Sequence, residues 1–455
     1  MTKKIIYISL LILIILITIS SLVIYFNKDY IKQSVRSYVL KITNLDSEIK
    51  RYKALESIKT SYFIENNVER LFYDKAETEL IGTLKNNSYI LSKYYLRFPP
   101  YVAFGDKPVA YIDIEDNNIF LISGSGSLFY INKSNLINGK FYVSKIKSNL
   151  DQLINDSSIK ESGVVSIRDI YVKNKIIYVS YVNQVSEKCY NTQIISAEVN
   201  LDYLLFDHYF IYNECLSSDK QPWNAAGSGG RIASYDDENL IFTIGDYTRR
   251  TPAQDVNSLF GKIILINKNN KKYKILSKGH RNPQGIYYNS IDNVLLSTEH
   301  GPKGGDEFNI NKNLDLNKTK NFGWPIASYG TLYKKDDYPD EIQFRNHKIN
   351  GFQEPAKEFT PAIGISQIIK VSNKFNKQFS NDYFIGAMGF DITEGDLSIH
   401  HIRLDDQYNE ILYEDIIYIN DRIRDMILIN SGKEIIMILE NEPAIAILKK
   451  NKSWK

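Results

Sequence analysis

Residues 279–286 read Gly-His-Arg-Asn-Pro-Gln-Gly-Ile, residues 299–307 read Glu-His-Gly-Pro-Lys-Gly-Gly-Asp-Glu, and residues 321–325 read Asn-Phe-Gly-Trp-Pro. Strand-like runs such as 294–297 separate these three loops. Tight-turn residues mixed with many hydrogen-bonding side chains mark loops held by a rigid scaffold, the usual carriers of binding and catalysis. Outward from this stretch the same texture continues in both directions. Short apolar runs at 109–114, 119–123, 170–172, 176–182, 262–266, 426–428 and 434–439 alternate with turn clusters such as Gly-Ser-Gly-Ser at 124–127 and Ser-Gly-Lys at 431–433. No long helical period interrupts them, so the segment reads as a train of hairpins. An array this long implies a sandwich, a large barrel or a propeller, and six blades would take roughly 60 residues each.

Composition agrees with an all-β body. Tyr (33) and Phe (21) are abundant among 455 residues, and both favour strands. With 56 basic and 53 acidic residues the net charge is only +3, and no basic stripe stands out, which argues against a nucleic-acid partner.

The N-terminal part differs. Residues 5–26 form a run of 22 without a charge, long enough to cross a hydrocarbon layer of ~30 Å as a helix. The run is longer than an ordinary signal-peptide core and no small-x-small cleavage site follows, so 1–26 is read as an uncleaved transmembrane anchor. Lys3 and Lys4 precede the span while Lys28, Lys32 and Arg36 follow it, so charge alone leaves the orientation open. Export of the large C-terminal part, to the periplasmic or extracellular side, is the expectation. Residues 27–90 read as a helical stalk or linker. Ile31, Val35, Tyr38, Ile42, Leu45, Ile49 and Tyr52 follow a 4-3 spacing, which suits either a coiled coil making a homo-oligomer through 31–52 or one amphipathic helix on its own domain. Cys189 and Cys215 flank two strand-like runs, compatible with a disulfide in an oxidising compartment or with two buried thiols.

The three loops, in their order and spacing, resemble the quinoprotein aldose dehydrogenases, the soluble glucose and glucose/sorbosone dehydrogenase group that uses pyrroloquinoline quinone (PQQ). Gly229-Gly230-Arg231-Ile232, Thr243-Ile244-Gly245-Asp246 and Asp421-Arg422-Ile423-Arg424-Asp425 extend the resemblance, which covers about 99–448. It implies a six-bladed β-propeller over 91–455 with the cofactor above a central channel. It further implies that Arg281, Asn282, Arg422 and Arg424 contact PQQ. The backbone carbonyls of Gly301 and Pro302 would hold a Ca2+ ion that polarises the quinone. A tricarboxylate wants planar guanidinium forks, and a hard cation wants oxygen ligands.

The sequence also departs from the family pattern. The family's general base is a histidine four residues before the Arg of the Gly-Gly-Arg motif; that position is Gly227 here. Asp246 matches the carboxylate that orients the missing imidazole, and could itself serve as base in the freed space. The family's cofactor-contacting lysine has no counterpart in Gly386-Ala387-Met388-Gly389-Phe390, and Glu161 stands near a family glutamine. Two functions fit: a membrane-anchored, PQQ-dependent dehydrogenase of a sugar or polyol whose base is altered, or a non-catalytic propeller that binds a carbohydrate or protein ligand.

Overall fold

The computed structural model describes residues 70–72, 77–85, 87–95, 102–103, 107–124, 126–137, 142–154, 167–220, 222–331, 346–441 and 443–451. All of them fall within Ser61–Lys455, the second of the two units into which the chain divides. The anchor expected at 5–26, the a/d stretch at 31–52 and Glu161 lie outside the described residues. Among the described residues no helix is long and apolar enough to cross a membrane.

Among the described residues six sheets of four or more strands, antiparallel apart from two short parallel pairings, follow one another along the chain, the blades of a β-propeller. Their innermost strands are Ala110–Glu115, Ile167–Lys173, Gly229–Ser234, Pro283–Asn289, Ile365–Val371 and Ile423–Ile429 (blades 1 to 6), and each touches the next around a closed ring. The ring closes through blade 6, where N-terminal Ser88–Tyr95 pairs with C-terminal Ala444–Lys450. Glu77–Gly82 adds a further strand to that blade. The propeller therefore begins upstream of the expected boundary at 91, and the last part of the expected helical linker is strand. Its Ile81 and Tyr89, with Leu91 just beyond, pack into the interface between blades 5 and 6.

The described core divides into six apolar clusters, one at each blade–blade interface. Alternation makes this possible. Successive side chains on a strand face opposite sides of its sheet, so each blade packs against both neighbours. Buried polar groups then stitch the inner strands together. Asp113 accepts from Val172 N, Asp169 from Ile232 N, Asp425 from Ile112 N, and Asp306 from Ile365 N. Cys189 and Cys215 are joined, with Sγ atoms 2.08 Å apart. The separation of 26 residues makes this cross-link worth roughly 3 kcal/mol through the unfolded chain.

Candidate active site

In an antiparallel blade the start of the first strand and the end of the second lie at the same end. Five chain segments meet at that end of blades 3 to 5. They are 224–228 ahead of Gly229–Ser234, 246–250 after Asn239–Ile244, 280–282 ahead of Pro283–Asn289, 300–306 after Val294–Glu299, and 362–364 ahead of Ile365–Val371. Together they enclose a cavity of about 440 Å³, within the range of small-molecule sites. Gly227, Arg281, Asn282, Gly301 and Pro302 all line it, as do Lys303, His300 and Asp306.

Local structure explains how each wall is held. Asn224 caps the short 3-10 turn Ala225–Gly227, accepting from Ala226 N. Asn282 is buried and its amide ties the wall together: Oδ1 accepts from Gly229 N and Gln284 Nε2, and Nδ2 donates to Ala226 O. It shapes the wall that carries Gly227. The Gly-Gly of the arginine motif is steric. Gly230 has φ +115°, and a Cβ there would stand 2.3 Å from Arg168 Cβ. At the opposite wall a Cβ on Gly301 would meet Gly305 O at 1.9 Å, so the 301–305 loop closes only with glycine.

Arg281 is the principal cation of the cavity. Its backbone N–H donates to Glu299 Oε2, its guanidinium lies 5.6 Å from the Trp324 ring, and Nη1 donates to His300 O (3.1 Å) and Gly301 O (2.6 Å). Gly301 O is one of the two carbonyls expected to hold calcium. A metal ion on Gly301 O would first have to displace a guanidinium, and cation repulsion opposes holding both. Among the described residues no group of three or more acidic, His or Cys side chains is placed to bind a metal. With Arg281 in this position, Gly301 O is not open to Ca2+.

Asp246 is committed to neighbouring protein groups. Its carboxylate is fully buried, does not line the cavity, and accepts from Trp324 Nε1 (2.6 Å), Thr248 N (2.8 Å) and Arg250 N (3.2 Å). Burial raises its pKa, opposed by the Arg281 charge and these donors. A carboxylate tied to three protein donors organises the 246–250 turn; it does not meet a ligand. Arg422 and Arg424 are outside the cavity lining as well. Both donate through Nε to the buried Glu440, at 3.0 and 2.5 Å. Arg424 connects to the cavity only through Gln284, which reaches Asn282.

The geometry brings forward three features that the sequence alone does not single out: Glu440, Lys303 and the pairing of His300 with Asp306. Lys303 sits inside the quoted 299–307 loop and brings a second cation to the cavity. The 386–390 segment brings none. Its Met388 and Gly389 N–H groups donate to Gly364 O and Ile363 O behind the wall.

Two cations and about 440 Å³ fit a small planar polyanion such as PQQ; Nε and Nη2 of Arg281 have no partner among the described residues. A solved structure of the PQQ-bound form of an aldose sugar dehydrogenase from Streptomyces coelicolor shares the fold. Its TM-score is 0.53 at 16% identity, over 79% of this chain and 98% of that one. Aldose sugar dehydrogenase YliI of Escherichia coli (strain K12) is 30% identical over 173 residues, 35% of this chain and 44% of its own length. An uncharacterized protein of Synechocystis sp., slr1608, is 31% identical over 221 residues, 44% of this chain and 50% of its own. The matched segments thus span half or less of these two relatives. Residues 106–448, most of the chain and nearly the whole propeller, match the family described as Glucose / Sorbosone dehydrogenase, and the chain belongs to that family.

Proposed function

We propose that this protein is a PQQ-dependent sugar dehydrogenase, oxidising an aldose or polyol, anchored to a membrane through residues 5–26 with its propeller exported. The observation that carries the reading is the convergence of Arg281, Lys303, Asn282 and Gly227 on one cavity at the end of blades 3 to 5. PQQ, when bound, supplies an ortho-quinone able to accept a hydride. Arg281, with Nε and Nη2 available, engages a carboxylate as a planar fork, and Lys303 adds a mobile charge at the exposed side. Asn282 keeps the wall beside Gly227 in place through its bond to Ala226 O. Calcium enters this reading only by displacing Arg281 from Gly301 O.

The uncharged 22-residue run supports the anchor, and the Cys189–Cys215 bond suits an oxidising compartment. Residues 31–52 are the proposed homo-oligomer contact. Membrane fractionation with protease accessibility of the propeller tests the placement; a propeller shielded inside intact cells overturns export.

Titrating purified full-length protein with PQQ is expected to give stoichiometric uptake, seen in the quinone absorbance, followed by reduction of an artificial acceptor with an aldose panel. Because a guanidinium already occupies Gly301 O, a chelator should change PQQ affinity by no more than about twofold. Lys303→Ala should weaken it about three- to tenfold, as an exposed charged contact does. Uptake that depends on calcium would show that Arg281 yields its place to the metal. Absence of PQQ uptake would favour a propeller that only binds a carbohydrate or protein.

A further inference from the structure

The missing imidazole at 227 leaves the cavity with one other nitrogen base of the right kind. His300 lines the same cavity as Gly227, and its side chain is 23% exposed. Its Nδ1 lies 3.5 Å from Asp306 Oδ1, while Nε2 has no partner among the described residues. Asp306 is nearly buried and held at both oxygens: Oδ1 accepts from Gly301 N (3.1 Å), and Oδ2 from Ile365 N of blade 5 (2.9 Å). A carboxylate offers about four lone-pair sites, so this one can still accept from an imidazole N–H. An anchored Asp facing Nδ1, with Nε2 left unpartnered, is the arrangement that makes histidine a proton acceptor. Catalytic pairs are often long in ligand-free geometry and tighten when substrate arrives. Asp246, by contrast, has no imidazole and is committed to the 246–250 turn. His280, His347, His400 and His401 are buried, and His208 is at the surface away from the cavity.

We infer that His300, oriented by Asp306, is the general base of this protein, replacing the histidine lost at position 227. The inference rests on the dehydrogenase reading above. In the step, the substrate O–H proton passes to His300 Nε2. PQQ, when bound, would supply the two-electron oxidant that takes the adjacent C–H hydrogen as hydride, so that the C–O bond becomes C=O. An aldose hemiacetal would give the lactone. Atoms and electrons balance, and the oxidant is the quinone itself.

Two measurements test it, one without turnover. In the His208→Gln protein without cofactor, diethylpyrocarbonate should modify one histidine rapidly, identified as His300 by peptide mass, and added PQQ should protect it. Slow modification of His300 means that Nε2 is not available and overturns the inference. In the PQQ-loaded protein, His300→Gln should lower kcat by ~10²–10⁴-fold, with KM and PQQ affinity changed less than about threefold. His300→Asn should behave alike, and melting curves of both should match wild type. If His300→Gln retains half or more of wild-type kcat, the inference fails while the dehydrogenase reading stands. If PQQ affinity collapses with kcat, His300 serves binding and the inference also fails. If the wild type binds PQQ but oxidises no sugar or polyol, the reading fails and takes the inference with it.

Discussion

Arg231→Met is expected to destabilise the propeller by about 3–5 kcal/mol, the usual result of removing one partner from a buried charge cluster. Arg231 sits on the inner strand of blade 3 and is almost fully buried. Nη1 donates to Asp169 of blade 2 (2.9 Å) and Asp425 of blade 6 (3.1 Å). Nε donates to Gln284 O of blade 4, and Nη2 to Arg424 O. One side chain therefore reaches three other blades across the channel. Both aspartates also accept backbone N–H groups of neighbouring inner strands, so losing the cation leaves two buried carboxylates at the joints of the ring. The deficit should depend on pH. Burial already raises the pKa of Asp169 and Asp425, and the Arg231 charge holds both down. In the variant both rise further above the unfolded value of ~3.9. The folded chain then keeps protons that the unfolded chain has released, so variant stability falls as pH rises through that window. Urea midpoints measured from about pH 4 to 8 should show the smallest gap to wild type at the acid end. Adding Asp169→Asn and Asp425→Asn to Arg231→Met should recover part of the loss, because no unpaired charge remains. A gap independent of pH, or no recovery, would show that Arg231 stabilises by packing on Tyr111 rather than by charge.

The cluster shows what a sequence does and does not disclose. The hairpin train was readable because strand alternation and turn chemistry act over a few residues. The ordered motifs then selected a propeller from among the β architectures. Contacts between blades were not readable. Arg422 and Arg424 look free in the sequence, and their partner Glu440 lies across the last hairpin. Extending that hairpin's pairing unbroken from Ile429↔Glu434 would set Glu440 opposite Ile423. A bulge between Ile423 and Asp425 shifts the register, and Glu440 N donates to Arg422 O instead. One extra residue decides whether two guanidiniums are available, and no local pattern announces it. Similarly, the 301–305 loop announces its glycines, but not that Arg281 turns its guanidinium onto Gly301 O. Asp246 shows the same limit from the other side. Its spacing from position 227 was legible, whereas the Trp324 indole that occupies it comes from 78 residues away. Lys303 needs no distant information, since it stands inside the 299–307 loop itself.

With one aspartate behind position 227 and another beside His300, the base should be movable. In the His300→Gln background, Gly227→His is expected to raise kcat at least ~10²-fold, the lower range for a placed general base. Backbone and space permit the change. Gly227 is not in the left-handed region, and a Cβ there would meet Thr248 N and Tyr247 Cα at 3.4 Å, ordinary contact. Thr248 N is the same group that donates to Asp246 Oδ1 at 2.8 Å, so a side chain at 227 starts beside the buried carboxylate. Three donors already use Asp246, which leaves about one lone-pair site for an imidazole N–H. The carboxylate's raised pKa should fall again when it gains that donor. The dependence on Asp246 should consequently differ between backgrounds. In wild type, Asp246→Asn should act on melting temperature, through the 246–250 turn, with kcat per folded molecule little changed. In the Gly227→His, His300→Gln protein it should remove most of the recovered kcat. Steady-state kinetics on PQQ-saturated, thermally matched proteins separate the two effects. A folded, PQQ-loaded double variant with no more activity than His300→Gln alone would mean that the 227 side of the cavity no longer faces the reacting carbon. The loss of the histidine would then have been accompanied by a shift of the bound substrate toward His300, across the cavity.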